Sequence, residues 1–433
     1  MGQAQVPTIG VGVLGMGTVG GQVAARLLES REAIRRRAGV DLEVKRVLVR
    51  DGAKPRAVEL AEGVLTTDAA SVLDDPAIGV VVEVIGGEEP ARTYLERAIR
   101  AGKHVVTANK VVMAKHGPEL LNLAAERNVD IYFEAAAGGG IPLISTFKVD
   151  LQANEIESIA AVINGTTNHM LTRMGRAGLT FEEALREAQA AGFAEADPTD
   201  DVGGFDARYK LAILASIAFR TPVHPDQIYC EGIEAIEPVD FRYAAELGYD
   251  IKLLAYAART RGAVEARVHP AMVPLTHPLG QVEGAFNAVY IEGDLVGPVL
   301  LYGQGAGGRP TASAVIGDLI DLAVDIGRGV QHRPAPVFDS ELRVLEMEEV
   351  VTRAYFRMHL ADRAGVLAQI GQVFADEDVS ISSAIQKEMF AERGTAEFVV
   401  TTHRASDRAL QQTLRRVADL DSVAQVCSFL RVF

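Results

Sequence analysis

The stretch Gly12–Gly21 reads GVLGMGTVGG, and the spacing of Gly15, Gly17 and Gly20 in it decides the fold class of the first third of the chain. Upstream, TIGVGVLG is an apolar, β-branched run with the composition of a buried strand. Downstream, VGGQVAARLLESREAIRR repeats apolar residues at helical spacing. A G-x-G-x-x-G sequence between a strand and a helix is the context of a dinucleotide-binding turn. Gly15 permits a tight turn and Gly17 lets main chain approach a pyrophosphate. The helix opening at Thr18 and Val19 turns its N–H groups and positive dipole end toward that group, and Gly20 completes the spacing.

Working outward, VKRVLVR, GVVVEVIGG, HVVTAN and DIYFEA read as further strands, and PARTYLERAIRAG and VMAKHGPELLNLAAERN as helices between them. That alternation predicts an α/β fold with a Rossmann-type doubly wound parallel sheet. A site for NAD usually ends its second strand on an acid that holds the ribose hydroxyls. Here VLVRDGAKPR places Arg50 there, with Lys54 and Arg56 close behind. Three cations suit the 2′-phosphate of NADP. A one-residue shift would bring Asp51 to the ribose, so NADP is the expectation and NAD stays open.

At 433 residues and 48% hydrophobic content, the chain has room for about three globular domains of roughly 150 residues. Its net charge of −15 and lack of a basic tract argue against a nucleic-acid partner. Two cysteines far apart, Cys230 and Cys427, exclude a disulfide framework and suggest a reducing compartment. No apolar run reaches the roughly 20 residues of a membrane span, and the first residues lack a charged signal segment. The expectation is a cytoplasmic protein with no membrane partner. His104, His169 and His359 lack metal-ligand spacing and read as structural.

The middle third mixes helices with valine-rich strands, as in FEEALREAQAAG, which Thr180 and Glu183 open as a capping box. It reads as an α+β substrate domain. The Pro- and Arg-rich segment Gly327–Glu341 reads as a linker. The tail follows the order βαββαβ, through AYFRMHL, VLAQIGQVFADE, VSISSAIQK, TAEFVVTT, DRALQQTLRRVAD and VAQVCSFLRVF, which is a ferredoxin-like unit. The expected division is a dinucleotide domain over 1–140 completed by 300–330, a substrate, catalytic and dimerisation domain over 141–300, a linker over 331–351, and a small domain over 352–433.

Between two helix-like segments lies GFAEADPTDDVGGFDARYK, Gly192–Lys210, where carboxylates crowd before a lysine that leads into LAILASIAF. Asp206 and Lys210 are four apart and share one helix face. A lysine at the edge of a buried helix loses hydration, which eases release of its proton. ADPTDDVGG cannot be regular helix, so it should loop over the helix start and bring Glu195 and Asp201 to the same place. Acids and a lysine meeting there suit binding of an ammonium group and proton transfer. Lys110, directly after HVVTAN, stands where ligands sit in open α/β sheets.

On GFAEADPTDDVGGFDARYK with Ala188 before it, and on GVLGMGTVG, VTANK, EAAAGGGIP, INGTTN and YGQGAGGRPTASAVIGDLID, the chain resembles the homoserine dehydrogenases. The resemblance implies an NAD(P)-dependent enzyme that interconverts L-homoserine and L-aspartate 4-semialdehyde in threonine and methionine biosynthesis, in the form without a fused aspartokinase. It gives Lys210 the role of catalytic acid/base and sets Lys110 between cofactor and substrate. Glu195 and Asp206 would hold homoserine with help from Asp201, and Asn164, Gly165 and Thr166 would form a substrate-binding turn. Gly305 would lie where the chain returns to the cofactor. Glu134, with Ala137, Gly139 and Ile141, would surround a sodium or potassium ion. The tail resembles an ACT domain, whose turn Asp362–Leu367, with Gly365 and Val366, would bind an amino-acid effector; threonine is the one the resemblance suggests. A homodimer or homotetramer is expected. Two other readings stay open, a non-catalytic amino-acid sensor and a dehydrogenase of another small amino-acid aldehyde.

Overall fold

The computed structural model describes residues 6–330, 338, 342–390 and 394–433. Of the expected linker, 331–337 and 339–341 lie outside the described residues.

The first 150 residues build the predicted parallel sheet. Its strands are β1 (Thr8–Leu14), β2 (Asp41–Leu48), β3 (Leu65–Thr66), β4 (Val80–Glu83), β5 (His104–Thr107) and β6 (Ile131–Tyr132), in the order β3-β2-β1-β4-β5-β6. Order reverses between β1 and β4, which opens the crevice where such sheets bind ligands. The crossovers are α1 (Thr18–Glu29), α2 (Arg31–Ala38), α3 (Ala70–Leu73), α4 (Ala91–Arg100) and α5 (Lys110–Glu126).

Two local readings differ from expectation. The stretch expected as one helix breaks at Ser30, whose φ of −111° and ψ of 16° leave the helical region. DIYFEA was expected as a strand throughout, but only Ile131–Tyr132 pairs. The Glu134 carboxylate instead accepts from the N–H groups of Leu143, Ile144 and Ser145 at 2.6 to 2.8 Å, so the chain turns into a 3-10 turn at Glu134–Ala136.

The chain continues through β7 (Ile156–Val162), α6 (Gly165–Ala177), α7 (Phe181–Ala190), α8 (Thr199–Val202), α9 (Phe205–Phe219), β8 (Tyr229–Cys230), α10 (Pro238–Glu246), β9 (Tyr249–Thr260), β10 (Ala263–Pro274) and β11 (Phe286–Gly293). The Thr180–Glu183 capping box is present with both reciprocal bonds. Then β12 (Gly297–Gln304) and α11 (Gly308–Gly327) follow. Helix α8 corrects the reading of ADPTDDVGG as wholly irregular. Pro198, which suits a helix start because no N–H is needed there, caps one helical turn.

The tail forms β13 (Arg343–Val344), β14 (Val351–Ala361), α12 (Val366–Asp376), β15 (Ile381–Phe390), β16 (Thr395–Thr402), β17 (Ala405–Ser406), α13 (Asp407–Ala418) and β18 (Val423–Val432). Apart from the two-residue β13 and β17, this is the expected βαββαβ unit.

The chain groups into two compact units. One comprises Met1–Ile156, Tyr209–Pro225 and Glu292–Glu341, and the other Glu157–Arg208, Asp226–Ile291 and Leu342–Phe433. In the first, Val11, Val13, Val47, Val82 and Val106 of the sheet pack with Val23 and Leu27 of α1 and Leu319 and Leu322 of α11. Each fully buried side chain of this kind contributes roughly 1.5–3 kcal/mol. In the second, strands run β11-β7-β9-β10-β18-β14-β16-β15. The tail joins the middle strands through parallel pairing of Ala271 with Arg431 and Met272 with Val432. Among the described residues, no helix is long and apolar enough to cross a membrane.

Candidate active site

Within the protein, Gly15 and Gly20 of the first motif each have a steric reason, and Gly17 has none. Gly15 takes a φ of +105°, and a Cβ there would meet the Val84 carbonyl oxygen at 2.9 Å. Gly20 lies so close beneath the turn that its Cβ would stand 2.2 Å from the Gly15 oxygen. Nothing crowds Gly17 within 4 Å, which leaves open space at the helix N-terminus for a phosphate. Thr18 and Val19 form the first turn of α1.

A cavity of about 600 Å³ adjoins this turn, lined by Gly15, Gly17, Arg50, Asp51, Lys54, Arg56, Ile85, Gly86 and Tyr94. Arg50 and Lys54 are exposed at its edge. Arg56 is engaged otherwise, since its terminal nitrogens donate to the carbonyls of Asp51 at 2.5 Å and Lys54 at 2.7 Å. It shapes the loop that presents the other two cations. The Asp51 carboxylate accepts from the Ala53 N–H at 2.8 Å. These residues fit a dinucleotide: an open helix start for the pyrophosphate and a cationic rim one strand away.

The glycine run after Glu134 is explained by a close approach of two main-chain segments. Gly139, at a φ of +55°, would place a Cβ 2.4 Å from the Gly305 oxygen, and the Gly140 N–H donates to the Gln304 carbonyl at 3.1 Å. Ala137 and Ile141 flank this contact and are buried. The Glu134 carboxylate is occupied by the three N–H groups named above. Asp318 accepts from the Glu134 N–H at 3.0 Å, and burial, reinforced by the Glu134 charge, holds the Asp318 carboxyl well above the usual range. Among the described residues there is no His, Cys, Asp and Glu cluster for a metal ion.

In the second unit, Asn164 organises the acids. Its Oδ1 caps α6 by accepting from the Thr167 N–H at 2.8 Å. Its Nδ2 donates to Asp201 at 2.7 Å and to Asp206 at 2.9 Å, so one amide nitrogen holds two carboxylates together. Gly165 is required beside it, because a Cβ would come within 2.9 Å of the Ala285 oxygen. The Thr166 hydroxyl donates to the Phe193 carbonyl at 2.7 Å, tying this turn to the acidic segment. Glu195 is exposed on that segment, and its carbonyl accepts from Gln189.

Asp206 lies in the first turn of α9 and Lys210, four residues on, is buried. Lys110 is the first residue of α5, whose cap is Asn109. In the tail, Gly365 caps α12 at a φ of +90°, with Val366 buried and Leu367 exposed on the opening turn, and the Asp362 N–H donates to the Gly394 carbonyl at 3.0 Å.

The sequence reading missed Glu83 and the side chain of Asn109. An acid inside the β-branched run VVVEV, and an asparagine directly before a helix, were the signals available.

Comparison with known proteins accords with this geometry. Residues 142–320 match the homoserine dehydrogenase family, 15–134 its NAD-binding domain, and 354–421 the ACT domain. The homoserine dehydrogenase of Bacillus subtilis is 40% identical over 424 residues, covering 98% of each chain. The crystal structure of a homoserine dehydrogenase from Thiobacillus denitrificans superposes with a TM-score of 0.92 at 44% identity, covering 98% of each chain. A hyperthermophilic archaeal homoserine dehydrogenase in complex with NADPH covers 73% of this chain and 98% of its own, with a TM-score of 0.63 at 30% identity. With its nicotinamide-dinucleotide domain, its paired acids and its ACT tail, the chain belongs to the homoserine dehydrogenase family of oxidoreductases.

Proposed function

We propose that this protein interconverts L-homoserine and L-aspartate 4-semialdehyde, in the biosynthesis of threonine and methionine. The observation that carries the reading is the pair of carboxylates, Asp201 and Asp206, gathered on Asn164, with Asp206 four residues before Lys210 along α9. Two carboxylates held this way favour a substrate ammonium, and Glu195 on the same segment adds a third. The bound nicotinamide supplies the hydride acceptor for C4 of homoserine. Lys210 takes the proton of the C4 hydroxyl as the hydride departs, and returns it in the reverse direction. Lys110 orients the substrate oxygen from the C-terminal end of the sheet.

NADP is the preferred dinucleotide in this reading. Asp51 is turned into its own loop, leaving Arg50 and Lys54 to face a 2′-phosphate, with Arg56 shaping the loop. The carbonyls of Ala137, Gly139 and Ile141, with Glu134, would hold a sodium or potassium ion. Threonine acts at Asp362–Leu367, and the enzyme is a cytoplasmic homodimer or homotetramer. The functional division is a dinucleotide domain over 1–140 with 300–330, a substrate and dimerisation domain over 141–300, and the regulatory domain over 352–433 beyond the linker.

The test is reduction of NAD and NADP followed at 340 nm with homoserine, in sodium, potassium and neither. Turnover with homoserine is expected, and Arg50→Ala should weaken NADP binding much more than NAD binding. No turnover with homoserine, beside turnover of another small amino alcohol, would overturn the substrate assignment.

A further inference from the structure

One buried side chain connects the nucleotide cavity to the turn that carries Lys110. Glu83 ends β4 and is fully buried. Its Oε1 accepts from the N–H groups of Ile85 at 2.8 Å and Gly86 at 3.3 Å, and from Asn109 Nδ2 at 3.4 Å. Its Oε2 accepts from the Thr107 hydroxyl at 2.6 Å. Asn109 reaches on to the Gly87 carbonyl at 2.7 Å, while its Oδ1 accepts from the Val112 N–H at 3.1 Å and so caps α5, whose first residue is Lys110.

Burial pushes the Glu83 carboxyl up, and the Thr107 hydroxyl, the two main-chain N–H groups and the Asn109 amide pull it back. A carboxylate is a costly way to end an apolar strand, since burial of the group is unfavourable unless each oxygen is satisfied. What it offers over an apolar residue or an amide is acceptor capacity on both oxygens, enough to collect donors from two loops at once.

Those two loops would border the reactive end of a bound dinucleotide. Arg50, over β2, would hold its adenosine ribose, and the glycine turn after β1 its pyrophosphate. An extended dinucleotide continuing in the same direction across the order β3-β2-β1-β4-β5 passes the ends of β4 and β5. Residues 84–86 already line the cavity.

We infer that Glu83 is a positioning residue for hydride transfer: its four hydrogen bonds fix the 84–87 loop relative to the Asn109–Lys110 turn, and so hold the nicotinamide half of the dinucleotide in reacting geometry. The inference rests on the dehydrogenase reading.

Glu83→Gln keeps the size of the side chain but aims amide hydrogens at donors. It should lower kcat roughly 100-fold, the scale of a misplacement of about 1 Å. It should also raise the isotope effect with 4-deuterated nicotinamide and weaken binding of the whole dinucleotide, while leaving the affinity for 2′-phospho-ADP-ribose unchanged. Thr107→Val, which removes one of the four donors, should give a smaller loss in the same direction, and Thr107→Ser should restore it. Wild-type kcat and isotope effect in Glu83→Gln would overturn the inference, and so would equal loss of fragment and whole dinucleotide. If Glu83→Gln does not fold, the Thr107 pair decides, and a wild-type Thr107→Val counts against the inference. If the wild-type protein does not turn over homoserine, the dehydrogenase reading falls by itself. Titration of Glu83→Gln with whole dinucleotide and fragment then still decides, since selective loss of the whole supports the role and equal retention of both defeats it.

Discussion

Arg357 Nε donates to Asp240 Oδ1 at 2.7 Å, with the two side chains 2% and 0% exposed, and the bond joins strand β14 of the ACT tail to the start of α10. The same guanidinium reaches Glu237 at 2.6 Å and Glu397 at 3.4 Å. Burial opposes the Arg357 charge, and Asp240 and Glu237 more than offset it, so its pKa lies above the ordinary value. Asp240 Oδ2 also accepts from the Glu237 N–H at 3.0 Å, so the cap of α10 is built on the same carboxylate. Arg357→Met should therefore cost about 3–5 kcal/mol, because it leaves buried carboxylates uncompensated. Denaturation in urea checks this, and an unchanged midpoint would contradict it.

The glycine motif separates two kinds of loss. Gly17→Ala meets nothing in the protein within 4 Å, so the variant should fold and melt like the wild type while binding dinucleotide more weakly. Gly20→Ala must displace the Gly15 carbonyl, and should cost about 1–3 kcal/mol as an overpacked contact. Thermal melts and dinucleotide titrations on both variants would show the contrast. Equal stability of the two would refute the steric account.

His269 provides a pH dependence with a definite sign. It is buried, its Nε2 accepts from Arg267 Nε at 3.0 Å, and its Nδ1 faces the Pro270 carbonyl at 2.8 Å, which fits a neutral ring protonated on Nδ1. Burial first, then the charges of Arg431 and Arg267, hold its pKa well below 6.5. Below pH 6.5 the unfolded chain binds a proton that the folded chain does not. Stability is therefore present above that pH and is lost as pH falls, at up to about 1.4 kcal/mol per pH unit. Urea midpoints between pH 7 and 5.5 should show a shallower decline in His269→Gln; an identical slope would mean that His269 is not the group responsible.

These relationships differ in how far the sequence reveals them. The dinucleotide turn is legible because strand, glycines and helix are contiguous, and the acids around α9 are legible because the lysine and carboxylates share one short segment. Glu83 is not, since its side-chain partners Thr107 and Asn109 lie 24 and 26 residues away, and an acid in an apolar strand reads as an interruption. The Arg357–Asp240 bond spans 117 residues and has no local signature. Likewise, DIYFEA has the composition of a longer strand, and only a carboxylate reaching 9 to 11 residues ahead turns the chain away. What pattern reports is local periodicity; what it omits is a polar side chain recruited by a distant loop.

Lys210 carries the proton-transfer assignment, and its burial on the second turn of α9 makes it testable. Lys210→Ala should lower kcat by at least about 100-fold, the usual scale of general acid–base catalysis, with dinucleotide affinity unaltered. Stopped-flow measurement of a single turnover isolates the chemical step. A variant retaining wild-type single-turnover rates would remove Lys210 from the mechanism.

The last prediction concerns threonine. Strand β18 pairs with β10, and the Phe433 N–H donates to the Met272 carbonyl at 2.9 Å, so deleting the tail would strip the middle strands and leave Asp240 without Arg357. A point change is the cleaner probe. Leu367 is 50% exposed on the first turn of α12, where open N–H groups suit an effector carboxylate. Leu367→Asp places a negative charge there, which the helix dipole tolerates and an amino-acid carboxylate does not. It should leave activity without effector intact and raise the threonine concentration needed for inhibition at least about tenfold, a coupling loss of roughly 1.4 kcal/mol. Packing within one unit links α10 to the paired acids. Phe241 of α10 packs so tightly on α6 that a Cβ at Gly175 would stand 2.8 Å from its ring, and α6 is capped by Asn164, which holds Asp201 and Asp206. Arg357→Met, by loosening α10 from the ACT sheet, should then bring the homoserine KM values with and without threonine closer together. Wild-type protein indifferent to threonine and other small amino acids at millimolar concentration would end the regulatory reading. Inhibition that persists unchanged in Leu367→Asp would move the effector away from this turn.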